Sequence, residues 1–333
     1  MRKTRAYDRF ANVDQSIFST RDEEFNRMRR KQVGPAFNHV GLNSVEILIT
    51  EICVYSFKKK LDELLSKSNG VAQFNYYKYF QNVTSDVIGE LVFGKRFDSV
   101  QNDGHPIIDW VNSAMINFVL VRVDTTSIAM TWLLIFYMLY PQIYKNVVSE
   151  IRNNFPDKDY IITHQDAKNK LPYFIATVYE SLRIRGSIGS ALLRESPIGG
   201  VQLCGYFVPE GTDLGMSIAG SHNDTRIWET PESFNPNRFL GPDGEKLKKE
   251  VVAFSSGVRV CIGKNLAWMQ ISLIITNMLN NYELELPNDS NYGPNILDPN
   301  RNNEPLIPRD ASFATRPPAN PEIDCNIIFR KRV

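Results

Sequence analysis

The sequence predicts a mainly α-helical chain with a small β-rich part. We read it as one unit over 1–333, helical at about 7–185 and carrying β-rich segments, a cysteine loop and a helix at 186–333. Three observations support this. Leu171, Phe174, Ile175, Val178 and Leu182 form one apolar stripe at helical spacing, as do shorter sets before them. After Gly186 the pattern changes: GGVQLCGYFVPEGTDLGMSIAG alternates and is punctuated by glycines and Pro209, the mark of short strands with tight turns. Neither an internal repeat nor a low-complexity tract interrupts this order.

In chain order, Ser19, Thr20 and Asp22 offer caps for a first helix that is expected to stop at Gly34-Pro35. Asn43-Ser44 opens a second helical run through Leu65, closed by SKSNG. A third is expected over 76–93, stopping at Gly94, and a fourth starts near Pro106 with Ile107, Trp110, Val111 and Ala114 at helical spacing. The segment 127–140, SIAMTWLLIFYMLY, has 14 residues interrupted by Thr131. That falls short of the roughly 20 apolar residues of a bilayer span, so a buried helix is predicted there. Pro141 starts another helix. ETPESFNPNRFLGPDG reads as loop, 266–279 as a nearly all-apolar helix, 287–322 as a loop-like tail, and CNIIF as a last strand.

Composition narrows the function. Hydrophobic residues are 43% and charged residues 23%, which excludes a disordered chain, a collagen-like fibre and a disulfide-stapled miniprotein. Lys+Arg 38 against Asp+Glu 37 leaves a formal charge of +1, no global field for gripping nucleic acid or an anionic membrane. Cys53, Cys204, Cys261 and Cys325 form no CxxC pair, and the four histidines form no HExxH. Zinc ribbons and thioredoxin-type sites are thereby excluded, and so few cysteines suit a reducing compartment. If a metal is bound, a solitary Cys ligand with a prosthetic group stays open. The polar amino terminus, MRKTRAYDRFANVDQ, has no signal-peptide core, and no membrane anchor is expected.

The most informative segment runs from Phe254 to Gly263, FSSGVRVCIG. Two glycines allow tight turns close to a flat object. Cys261 sits at the amino end of an apolar helix, where free N–H groups and the helix dipole favour a thiolate. Arg259, two residues earlier, is placed to pair with a carboxylate of a bound group. Read without the rest, Cys261 is equally a small buried residue and Arg259 a surface charge. The complete pattern F-x-x-G-x-R-x-C-x-G resembles the haem-binding loop of the cytochrome P-450 superfamily, the haem-thiolate monooxygenases. The resemblance implies that fold, with Cys261 as axial ligand of haem iron, Arg259 as a contact of a haem propionate, and Phe254, Gly257 and Gly263 shaping the loop.

Other segments resemble the same family in the same order. Glu180 and Arg183 are three apart on a helix, roughly opposite the apolar stripe, and taken alone read as a solvated ion pair. With PNRF at 236–239 they resemble the E-x-x-R and P-E-R-F motifs, in which Glu180, Arg183 and Arg238 would lock the core; Asn237 replaces the usual Glu. Asp124-Thr125-Thr126 reads as a helix cap. By resemblance Asp124 and Thr125 would relay protons to dioxygen at the haem. Val121 and Arg122 stand where the family has two small residues. Arg30 resembles the second anchor of the W-x-x-x-R helix, with Asn26 for the aromatic residue, and Arg194 resembles another propionate contact. Each is otherwise a plain surface arginine.

The resemblance covers about 18–330 and implies a shortened, incomplete member. Nothing before Tyr7 matches the family's anchor or first strands, and VLVRVDTT reads as a direct splice between two distal helices. Three functions remain open. The first is a monooxygenase with haem b, inserting one oxygen atom into a small lipophilic substrate. It would take electrons from NADPH through NADPH–cytochrome P-450 reductase, on the cytoplasmic face of the endoplasmic reticulum. The second is a haem-binding but inactive relative, and the third a helical interaction protein without haem. Segments such as GSHNDTRIWETPESFNPNRFLG look most like fungal members that tailor secondary metabolites.

Overall fold

The computed structural model of the protein describes residues 1–10, 15–108, 124–311 and 315–333. The Asp22 carboxylate caps helix α1 (Glu23–Phe37) by accepting the N–H groups of Glu24 and Phe25. Helix α1 runs through Gly34-Pro35, where the sequence predicts a stop. A proline in the last turn forfeits one hydrogen bond, and the Asn38 N–H still reaches the Gly34 carbonyl at 3.0 Å. The chain then doubles back so tightly that a Cβ on Gly41 would lie 2.0 Å from the Pro35 carbonyl oxygen.

The second helical run is segmented. It passes through His39–Ser44, Glu46–Thr50 and a π-helical stretch, Glu51–Ser56, into α2 (Phe57–Lys67). Helix α3 (Tyr76–Phe93) has the predicted bounds, capped by the Asn75 side chain and ended by Gly94 at φ 63°. Of the fourth helix, Trp110, Val111 and Ala114 lie outside the described residues, as do Val121, Arg122 and the junction before Asp124. Helix α4 (Asp124–Leu139) is buried nearly all round and meets α5 (Pro141–Asn154) at 112°. No single described helix is long and apolar enough to cross a membrane; only the bent α4–α5 pair passes that test, by length and composition.

Helix α6 (Pro172–Arg185) decides between the two readings of its polar face. Phe174, Val178 and Leu182 are buried as predicted, but Glu180 and Arg183 are buried too. The face opposite the apolar stripe is therefore covered by protein and not solvated. Farther on, α7 (Gly241–Glu250) begins in the last residues of a stretch predicted as loop, and α8 (Lys264–Asn281) is the buried apolar helix. Ile218–His222 is helical, capped by Ser217, where strand was expected.

The sheets are small. Strand β1 (Arg2–Lys3) pairs antiparallel with β3 (Arg194–Glu195), which pairs with β6 (Asp213–Leu214). Strand β2 (Val71–Asn75), which the sequence reading missed, joins β10 (Asn326–Lys331) and β7 (Tyr282–Glu285). Strands β4 (Val201–Leu203) and β5 (Tyr206–Val208) form a hairpin turning on Cys204-Gly205, both at positive φ, which matches the strand twist. The described part of the tail holds β8 (Leu297–Asp298) against β9 (Glu304–Pro305), a 3₁₀ turn at Pro299–Arg301 and an isolated bridge between Asp310 and Pro318. One core runs from Leu42 through α4, α6 and α8 to Phe329.

Candidate active site

The cysteine loop is closed by its own backbone. The Cys261 N–H donates to the Phe254 carbonyl at 2.8 Å, across a 3₁₀ turn, Gly257–Arg259. Gly257 has φ +65°, a left-handed conformation open to glycine at little cost. Gly263 is the first flanking residue of α8, and a Cβ there would lie 3.9 Å from the Cys261 sulfur. The half-buried Phe254 ring packs on the core, with Lys264 Nζ 5.9 Å from its centroid. Cys261 is therefore held at a helix start by turn geometry.

Cys261 keeps solvent-accessible surface, yet the protein around it is dense enough that burial raises its thiol pKa. The Gly263 N–H and the charges of Arg30 and Lys264 oppose that shift without overcoming it. The helix-start argument thus has the right sign and loses to desolvation in the protein alone. A metal ion would reverse the balance, because a coordinating thiol is deprotonated outright.

The arginines of the sequence reading have different surroundings. Arg259 is buried and tied to Glu23, Nη2 to Oε1 at 2.8 Å, with longer contacts to the carbonyls of Ile17 and Thr20. It is not a plain surface charge. Arg30 lies on α1, near enough to Cys261 to act on its thiol. Asn26, one turn before it, is buried and donates to the Ile17 carbonyl at 2.8 Å. Arg194, half-buried on β3, donates to the Leu193 carbonyl at 2.9 Å. Arg238 belongs to the cluster around Glu180. A soft sulfur donor with an accessible side and guanidinium groups nearby is a donor set that fits a metal-bearing group with acidic substituents.

Glu180 is the centre of a closed cluster. Arg183 reaches it with Nε at 2.7 Å and Nη2 at 2.8 Å, Arg238 Nε at 3.1 Å, and the Asn235 N–H at 2.9 Å. Arg183 also donates to the His222 carbonyl at 2.7 Å, and Arg238 to the Glu229 carbonyl at 2.8 Å. Asn237, the departure from P-E-R-F, leaves Arg238 in place.

Asp124 is buried at the start of α4. Its carboxylate accepts from Tyr77 Oη at 3.2 Å and Gln81 Nε2 at 3.0 Å, both on α3. Thr125 is half-buried, and its carbonyl accepts from Ser187 Oγ at 2.5 Å. The sequence reading missed Glu23, Tyr77 and Gln81. Only the i, i+4 spacing of the last two on one helix hinted that they act together.

The sequence profile of cytochrome P450 matches residues 111–300. The chain belongs to the cytochrome P450 family. Among its relatives, cytochrome P450 monooxygenase helB1 of Aspergillus fumigatus is 26% identical over 401 aligned positions, covering 96% of this chain and 68% of that protein. Monooxygenase helB3 of the same fungus is 27% identical over 92% of this chain and 75% of its own. Monooxygenase ORF11 of Penicillium roqueforti is 25% identical over 84% of this chain and 74% of its own. The helB1 alignment is longer than the 333 residues of the chain, so that cytochrome P450 carries internal segments without a counterpart here. The cytochrome P450 family in general uses a haem with a thiolate ligand and electrons from a redox partner, and its members are generally associated with the endoplasmic reticulum.

Proposed function

We propose that this chain is a haem-thiolate monooxygenase in which Cys261 would be the thiolate ligand of the haem iron, acting on a small lipophilic substrate of fungal secondary metabolism. The observation that carries the reading is the Cys261 loop: the Cys261 N–H donates to the Phe254 carbonyl at 2.8 Å, and the sulfur lies beside the Gly263 N–H and near Arg30. Phe254, Gly257 and Gly263 shape that loop, while Arg30, Arg194 and Arg259 would hold the carboxylates of haem b. When bound, the haem supplies the oxygen chemistry, with the thiolate's electron density favouring O–O cleavage. Asp124 and Thr125 would hold and pass protons, and Glu180, Arg183 and Arg238 would stiffen the core. Electrons would come from NADPH through NADPH–cytochrome P450 reductase on the cytoplasmic face of the endoplasmic reticulum. The shared core from Leu42 to Phe329 supports treating 1–333 as one domain.

The test is the difference spectrum of the reduced, carbon monoxide-treated protein. The wild type should give the thiolate-type band and Cys261→Ala should lose it; an unchanged spectrum in the variant overturns the assignment. A second reading, haem binding without efficient turnover, is favoured by the internal segments of helB1 that have no counterpart here. Product formed per NADPH consumed with a reductase separates the two.

A further inference from the structure

Lys3 is 5% exposed, a rare state for a lysine. Strand β1 pairs it in register with Arg194 on β3. Its ammonium lies 4.0 Å from the Tyr7 ring centroid and 4.1 Å from that of Phe18, and donates to the Phe18 carbonyl. Aromatic faces and one carbonyl solvate a cation but do not neutralise it. The carboxylates near β1 are engaged elsewhere: Glu195 by Arg2 at 2.5 Å and Arg21 at 2.9 Å, Asp8 by Arg21 at 3.2 Å. The acid that acts on Lys3 is Glu23, and Glu23 is bound to Arg259 at 2.8 Å. Among the described residues, Lys3 and Arg259 thus share the charge of Glu23, with Arg194 a third cation acting on Lys3. Burial, then Arg259 and Arg194, bring the Lys3 pKa down to about 7, with Glu23 opposing. Arg259 stands two residues before Cys261, so this group of cations includes a residue of the cysteine loop.

We propose that Lys3 is a further cationic anchor, beside Arg194 and Arg259, for the carboxylate edge of the prosthetic group, and that Glu23 is the internal anion which that edge displaces. The proposal rests on the haem-binding reading above. A carboxylate arriving at these cations takes over the Arg259 fork from Glu23 and supplies the charge that Lys3 lacks.

The test uses the full chain, titrated with haem and with haem dimethyl ester, whose carboxylates are blocked. Soret absorbance and quenching of tryptophan fluorescence report binding. Lys3→Met keeps the apolar stem against Tyr7 and Phe18; it should weaken haem binding about tenfold or more. Lys3→Arg should restore most of it, and Glu23→Gln should tighten binding several-fold. With the dimethyl ester these differences should vanish. Equal haem affinity of Lys3→Met and wild type, or an equal loss with the ester, overturns the assignment of Lys3. If Lys3→Met does not fold, the Glu23→Gln comparison decides, and unchanged affinity there overturns the proposal. Wild-type protein that binds neither ligand would instead overturn the haem reading itself.

Discussion

Glu180 and Arg183, one turn apart on α6, form a two-pronged ion pair with 0% side-chain exposure on either partner. A pair so enclosed is costly to desolvate and is tolerated only when its remaining valences are filled. Here Arg238, the Asn235 N–H and the carbonyls of His222 and Ser233 fill them. The cluster therefore ties α6 to the segment 222–238, which leads on towards the cysteine loop.

Glu180→Ala should lower unfolding stability by about 3–5 kcal/mol, because it leaves two buried guanidinium groups without a counter-charge. Urea titration followed by circular dichroism measures this. A loss below about 1 kcal/mol would equal that of an exposed bridge and refute a structural role.

Acid stability should carry the signature of His222. Its Nδ1 lies 3.0 Å from the Arg183 carbonyl and its Nε2 accepts the Val252 N–H at 3.0 Å, which requires the neutral ring with its proton on Nδ1. Burial, reinforced by Arg183 and Arg316, brings its pKa from 6.5 down to about 4, against the pull of the Arg183 carbonyl. The unfolded imidazole takes a proton below about 6.5 and the folded one only near 4. The contribution is whole above the upper value and is lost as pH falls through the window, up to roughly 3 kcal/mol. Unfolding free energies between pH 7 and pH 4 should fall less steeply in His222→Gln than in wild type. Parallel curves for the two proteins would remove His222 as the cause.

Much of this was legible in the sequence where local rules decide. Gly94 ends α3 where it was expected because a left-handed glycine is a local signal, and Gly257 marked the cysteine turn for the same reason. What the residues alone leave open depends on distant partners. Taken alone, Glu180 and Arg183 read as solvated, and only the order of the motifs pointed to the core, because nothing in α6 reveals that residues 222–238 cover its polar face. The Arg259–Glu23 pair joins positions 236 apart, a distance that no spacing rule reaches. Cys261 sits at a helix start, as read, but burial governs its thiol, and burial is a property of the whole fold.

Gly41 supplies a prediction free of any cofactor. A Cβ there would lie 2.0 Å from the Pro35 carbonyl oxygen and 3.0 Å from Ala36 Cα, both backbone atoms that cannot rotate aside. Gly41→Ala should therefore force apart α1 and the helix that follows it, at a cost of about 1–3 kcal/mol, the usual range for overpacking. Thermal unfolding measures it. Wild-type stability in the variant would mean that the turn after α1 is looser than described.

The last prediction concerns Asp124, where packing and proton transfer make different demands. Its buried carboxylate is held by Gln81 and Tyr77, one turn apart on α3, at 3.0 Å and 3.2 Å. Gln81 also donates to the Tyr77 oxygen at 3.0 Å, so the two side chains brace each other. Removing an amide donor from a buried carboxylate should cost about 1–3 kcal/mol, so Gln81→Leu should be destabilised by that much. Asp124→Asn keeps the shape and an accepting oxygen, and should unfold within about 1 kcal/mol of wild type. If Asp124 supplies protons, the same variant should lose about a hundredfold or more in substrate turnover while retaining its haem. If Asp124 only packs α4 against α3, turnover and stability should change together, with Gln81→Leu the worse of the two. Measuring product rate, haem content and unfolding free energy on the same preparations separates the cases, and undiminished turnover in Asp124→Asn would leave Asp124 as a packing residue alone.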